Sequence, residues 1–137
     1  MELVPGVTGG HWTNHDARTG CTVIRFPAGT VASGEVRGGA PASREFALLD
    51  PARTVDRIDA VVLSGGSAFG LAAADGVVAA LEADGVGFET RHGVVPIVIP
   101  FGPIDLDLSA DQTAYVTYVV SDRRGDLTAI VHTIDRS

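Results

Sequence analysis

Residues 63–71 read Leu63-Ser64-Gly65-Gly66-Ser67-Ala68-Phe69-Gly70-Leu71, a glycine pair set between an apolar run and a stretch that favours helix. Adjacent glycines allow a tight reversal, and Ser67 is placed to cap the helix that follows. The first turn of a helix offers unpaired N–H groups to a carboxylate or a developing oxyanion. The same residues equally suit a strand-to-helix turn that holds no ligand. Two enzyme motifs are excluded here. A nucleophile elbow needs G-x-S-x-G, and the residue two beyond Ser67 is Phe69. A dinucleotide fingerprint needs G-x-G-x-x-G, and these glycines fall at 65, 66 and 70. Ser67 is therefore a poor nucleophile.

Other reactive side chains give weaker patterns. His11 and His15 are four apart, the spacing of a metal pair on a helix, but Gly9-Gly10 and Thr13-Asn14 favour a loop and no Glu completes H-E-x-x-H. No metal site is expected, and His11-Trp12 reads as an aromatic pair closing one end of the core. Arg18, Arg37 and Arg44 lie among small residues and could grip a carboxylate through a two-pronged guanidinium. Arg37 is the strongest of the three, because Gly38-Gly39 would let a ligand approach; Arg18 and Arg44 read first as partners of surface acids. Asp105, Asp107 and Asp111 form a carboxylate cluster that a solvated strand end explains as well as acid–base chemistry does.

These residues need a scaffold. Residues 21–26 and 30–36 read as strands around the turn Pro27-Ala28-Gly29, an antiparallel hairpin. Residues 43–50 read as loop or short helix, stopped by Pro51. Residues 58–63 are nearly all apolar, the pattern of a strand covered on both faces. Residues 68–84 favour helix, with Leu71, Val77, Val78 and Leu81 as the bulky face and Gly85 as the terminating residue. Residues 86–89 and 94–99 read as short strands, with Pro96 and Pro100 at edges or ends. Residues 113–121 and 127–134 are rich in Val, Ile, Thr and Tyr around the loop 122–126, a second hairpin.

Composition bounds the partners. All 10 basic residues are arginine against 17 acids, giving a net charge of −7 and a pI near 4.8. The lack of lysine excludes Schiff-base chemistry and a P-loop lysine, and the lack of a basic run argues against nucleic acid. Cys21 is the single cysteine, so neither an internal disulfide nor a cysteine zinc cluster can form. The expected setting is a reducing compartment, and residues 1–5 do not resemble a signal peptide, so a cytoplasmic protein is expected. No run of 18 apolar residues occurs, so a mean hydropathy of +0.24 reflects a core and no membrane is expected as partner. The 17 glycines exceed the usual share of about 7% and cluster at 38–39 and 65–70.

Taken in order, Gly10-His11-Trp12-Thr13, Ala17-Arg18-Thr19-Gly20-Cys21-Thr22-Val23, Val36-Arg37-Gly38-Gly39-Ala40-Pro41, Arg44-Glu45, Leu48-Leu49-Asp50-Pro51, residues 63–76 and Val95-Pro96-Ile97-Val98 resemble the P1 (S58, DmpA-type) peptidases, the L-aminopeptidase/D-esterase and β-aminopeptidase enzymes. The likeness runs through residues 5–100 and fades beyond Ile99. It implies an α+β fold, part of an αββα sandwich: a mixed sheet with a buried helix and a C-terminal β-hairpin. Residues 1–100 would form the family-like portion, and residues 101–137 a divergent tail on the same domain.

The resemblance also implies chemistry. Such enzymes cleave themselves before a Ser or Thr, whose hydroxyl then attacks while the freed α-amino group acts as base. Their substrates are short peptides and amides or esters of amino acids, they use no cofactor, and they assemble into homo-oligomers. Gly65, Gly66, Ser67, Phe69 and Gly70 would line the substrate cleft, with Arg37, Gly38, Gly39 and Trp12 as further substrate-binding positions. Phe69 stands where some members carry tyrosine, which removes a hydroxyl able to donate to substrate. No catalytic residue is assigned, because neither the oxyanion asparagine nor the cleavage site is found, and Ser137 cannot serve. The chain is thus expected to be inactive without a complementing β-chain; the alternative is a non-catalytic module that at most binds a small carboxylate.

Overall fold

In the computed structural model, residues 2–34, 42–102, 118–121 and 127–131 are described. The chain begins with β1 (Glu2–Val4), β2 (Val7–Asn14) and β3 (Thr19–Arg25), continues through β4 (Val31–Ser33) and a 3-10 turn at Phe46–Leu49, and reaches β5 (Ala60–Ser64). Two helical pieces follow, α1 (Ser67–Gly70) and α2 (Ala73–Ala83), then β6 (Phe88–Thr90), β7 (Gly93–Val95), β8 (Val98–Phe101), β9 (Tyr118–Ser121) and β10 (Leu127–Val131). The main sheet has the order β1-β2-β3-β5-β8, antiparallel except for the parallel β5–β8 pair. This mixed sheet, its packed helix and the C-terminal hairpin β9–β10 make the α+β fold.

The apolar run at β5 is buried on both sides. Ala60 and Val62 face α2 and pack with Ala74, Leu81 and Val98. Val61 turns the other way and joins Val7, Ile24, Phe26, Leu49, Ile58, Ile97, Ile99 and Phe101 in the larger cluster. Alanines on α2 allow the close approach, and Ala74 is fully buried. Pro100 lies in β8, the last strand of this sheet, where a residue without an N–H is tolerated. The end of α2 follows the expected glycine termination: Gly85 has φ 70, its N–H bonds Glu82 O at 2.9 Å and the Val86 N–H bonds Leu81 O at 2.9 Å.

Three local expectations change. Residues 21–26 and the described part of the second strand, residues 30–34, do not form a hairpin, and residues 35 and 36 lie outside the described residues: the turn exists, with Thr30 N–H donating to Pro27 O at 3.3 Å, but β3 pairs with β2 and β5 while β4 pairs with β9 in a second sheet of order β10-β9-β4. Turn chemistry reverses the chain without choosing the next partner. Residues 9–14, expected as loop, are strand, because β2 pairs with β3 without a break from Thr8↔Arg25 to Asn14↔Thr19. The strand expected at 94–99 is two strands, β7 and β8, separated at Pro96 and Ile97.

Asp59 ties these pieces together just before β5. Its buried carboxyl accepts the Ile97 N–H at 2.8 Å, its own N–H donates to Ile97 O at 2.8 Å, and its carbonyl accepts the Phe26 N–H at 2.9 Å. Replacing Asp59 by Ala strands the buried Ile97 N–H, so urea denaturation should show a loss of about 1–3 kcal/mol. Asp59→Asn keeps a carbonyl acceptor at the same place and should lose less.

Candidate functional site

The glycine turn connects β5 to the helical segment and is locked by its own lack of side chains. A Cβ on Gly70 would collide with the Gly65 carbonyl, and one on Gly65 would collide with Thr19 Oγ1. Gly66 takes φ 90 and ψ 20, a left-handed conformation that glycine adopts freely. Ser67 follows at φ 55, a conformation that costs an L-residue about 1–2 kcal/mol. The neighbouring strand end holds it there. Gly102 comes so close that a Cβ on it would lie 2.8 Å from Ser67 O, and the Gly102 N–H is anchored to Ala42 O at 2.9 Å.

The expected capping role of Ser67 is corrected. The position before the helix belongs to Gly66, and no side chain caps it. The single long helix expected over 68–84 is also interrupted. Leu71, Ala72, Ala74 and Asp75 each donate to the carbonyl three residues back, at 3.0–3.3 Å, so the junction is wound tightly and α1 contains only Ser67–Gly70. A helix this short has too few aligned peptides to polarise an anion strongly, so the turn's chemistry rests on its shape and on Phe69.

Phe69 is 93% exposed, held outward on this locked turn. Trp12 is 57% exposed on β2. Trp12 pairs with Cys21, and Cys21 with Ser64, so the three occupy one row across the sheet on the face that carries α2. Two strand spacings put Trp12 about 10 Å from the start of the turn. Trp12 and Phe69 thus stand at the same end of the sheet. His11 and Trp12, adjacent in a strand, point to opposite faces and are both exposed, so they do not close the core.

The arginines separate clearly. Arg44 binds Asp75 at 2.8 Å, the surface pairing anticipated for it. Arg18 ends the β2–β3 loop with φ 49 and lines an open groove of about 350 Å³ with His11, Thr13, Thr19, Thr22 and Gly65. This groove adjoins the glycine turn through Gly65. Both nitrogens of His11 are engaged there, Nδ1 with Thr22 Oγ1 and Nε2 with Thr13 Oγ1, each at 2.7 Å. The glycines and polar residues of 9–14 hide this set in the sequence, because they carry a loop pattern, whereas strand pairing brings His11 directly opposite Thr22. Arg37, Gly38, Gly39 and the carboxylates Asp105, Asp107 and Asp111 lie outside the described residues. Among the described residues, no group of three or more His, Cys, Asp or Glu side chains converges as metal ligands would.

Stability measurements separate the locked glycines from the others. Gly70→Ala should destabilise by at least about 2 kcal/mol, since its methyl meets backbone that cannot yield. Gly76→Ala, inside α2 and facing open space, should stabilise by roughly 0.5–1 kcal/mol. Urea titrations of the two variants check both signs.

The profile of Peptidase family S58 matches residues 3–112. A protein of Mycobacterium leprae (strain TN) named "uncharacterized aminopeptidase" is 53% identical over 90 residues, which is 66% of this chain and 24% of the relative. A like-named protein of Mycobacterium bovis (strain ATCC BAA-935 / AF2122/97) is 48% identical over 103 residues, 69% of this chain and 30% of the relative. The chain therefore spans only 24–30% of the length of the curated relatives it matches. With a family profile covering most of its length and the glycine turn and paired strands in place, the chain belongs to peptidase family S58.

Proposed function

We propose that this chain supplies the substrate-facing portion of a cytoplasmic aminopeptidase that hydrolyses short peptides and amides or esters of amino acids. The nucleophile, an N-terminal Ser or Thr, would come from a complementing β-chain. The observation that carries the reading is Phe69: a large apolar ring held almost wholly in water on a turn whose backbone cannot relax. A solitary exposed aromatic is ordinary on a mobile surface. Fixed on a strained turn, it is suited to receive an apolar part of a substrate, with Trp12 at the same end of the sheet as a second wall.

Within this reading, Gly65, Gly66 and Gly70 keep the substrate close to backbone, and Ser67 offers a hydroxyl at the rim. Arg37, Gly38 and Gly39 complete the substrate-binding set. The active particle is a homo-oligomer of paired chains, with residues 1–100 forming the family-like portion and residues 101–137 packed on the same domain. The family membership and the aminopeptidase names of the mycobacterial relatives support the reaction class. The short share of each relative that this chain matches supports the need for further polypeptide.

Release of p-nitroaniline from amino-acid p-nitroanilides tests the proposal. The chain alone should release none, and combining it with the unmatched portion of the Mycobacterium bovis relative should produce turnover. Absence of turnover in every combination rejects the reading. In the active combination, Phe69→Ala should lower kcat/KM about tenfold, equivalent to about 1.4 kcal/mol of lost contact, with no change in melting temperature. An unchanged kcat/KM would remove Phe69 from the substrate site.

A further inference from the structure

Most of the described arginines have partners. Arg25 binds Asp84 at 2.9 Å, Arg44 binds Asp75 at 2.8 Å, Arg53 approaches Asp50 at 3.7 Å and Arg57 approaches Asp56 at 3.5 Å. Arg91 donates to the neighbouring His92 ring at 2.8 Å. Arg18 differs. Among the described residues its guanidinium makes no hydrogen bond or ion pair, although it lines a groove of about 350 Å³. Among the described residues, no Asp or Glu lines that groove. In a protein with a net charge of −7, this is a positive site with no acidic neighbour in its described lining.

Other residues of the lining supply hydrogen-bond donors. His11 bonds Thr22 Oγ1 and Thr13 Oγ1 at once. A neutral imidazole has one N–H, so one threonine donates to the bare nitrogen and the other accepts. The accepting hydroxyl keeps its own hydrogen for a ligand. If the ring is protonated on both nitrogens, both threonines accept and both hydroxyl hydrogens are available. Thr19 adds a third hydroxyl to the lining. A planar guanidinium presents two parallel N–H groups, a geometry matched by the two oxygens of a carboxylate. The volume falls at the lower end of small-molecule sites, which suits a group of amino-acid or dipeptide size.

We propose that this groove binds the carboxylate of a small organic acid or a peptide C-terminus, with Arg18 as its charge partner and, as donors, the Thr19 hydroxyl and whichever of the Thr13 and Thr22 hydroxyls accepts from His11. The site lies on the sheet face opposite α2, since His11, Thr22 and Leu63 share the row next to that of Trp12, Cys21 and Ser64. Its binding does not depend on the hydrolytic reading of the glycine turn.

Titration of the chain with N-acetyl-alanyl-alanine and with the corresponding C-terminal amide, followed by NMR of the His11 ring and the arginine side chains, tests the assignment. The acid should shift the His11 and Arg18 signals saturably, and the amide should bind at least about tenfold more weakly. Arg18→Gln, which is no worse suited to φ 49 than arginine, should lose the same factor with an unchanged melting temperature, whereas Arg91→Gln should bind normally. Of Thr13→Val and Thr22→Val, both of which keep the β-branched shape, at least one should weaken binding while leaving the strand intact. Equal binding of acid and amide, full binding by Arg18→Gln, or tighter binding of inorganic phosphate than of the acid would each overturn the proposal. Because the readout is binding and not turnover, the hydrolytic reading can fail while this one stands.

Discussion

The arrangement depends on the buried hydrogen bond between the Asp59 carboxyl and the Ile97 N–H. A buried polar group must find a partner, and here the partner lies 38 residues further along the chain. Closing that pair sets the start of β8 against the start of β5 and so fixes the parallel register Ala60↔Val98 through Leu63↔Phe101. At the far end of the pair, the register brings Phe101 O within 3.4 Å of the Ser64 hydroxyl and Gly102 against the Ser67 carbonyl. An interaction at one end of the sheet thereby defines the turn at the other. The intervening apolar residues of β5 have no freedom to slip, because a shift of one residue would send Val61 towards α2 and Val62 into the larger cluster.

The turn itself is unfavourable in isolation. Two consecutive left-handed residues, the second a serine, persist only because the surroundings leave no alternative. Burial of β5 on both faces supplies the compensation, at roughly 25 cal/mol for each Å² of apolar surface removed from water. Surface ion pairs contribute little to this balance. Arg25–Asp84 and Arg44–Asp75 are both well solvated, and such pairs are worth less than about 1 kcal/mol each. Their role is local, pinning the flank of α2 to β3 and to the segment that follows residue 41.

What the sequence disclosed follows the range of the forces involved. The double-sided burial of β5, the close packing of an alanine-rich helix and its glycine termination are written in adjacent residues and were legible. The β2–β3 hairpin was not, because Gly9, Gly10 and the polar residues Thr13 and Asn14 hide a strand whose stability comes from its pairing with β3. The turn at 27–30 was legible as a turn, yet β4 finds its partner in β9, some 85 residues away, which no local pattern can reveal. Within the candidate site, the glycine turn was visible as a motif. The groove was not, since His11, Thr22 and Arg18 meet only once the strands are in register.

The turn and the groove are mechanically one object. The Gly65 N–H donates to Gly20 O at 2.8 Å, and the bare Cα of Gly65 leaves room for the Thr19 hydroxyl. Thr19 adjoins Arg18, whose left-handed backbone ends the hairpin loop, so the backbone that carries the guanidinium is placed by the same contact that sets the start of the turn. Any side chain at residue 65 would push Thr19 away and displace both features together. The glycine at 65 therefore does more than permit a reversal of the chain: it lets two strands close tightly enough for an aromatic ring on one face and a cation on the other to be held by a single backbone junction.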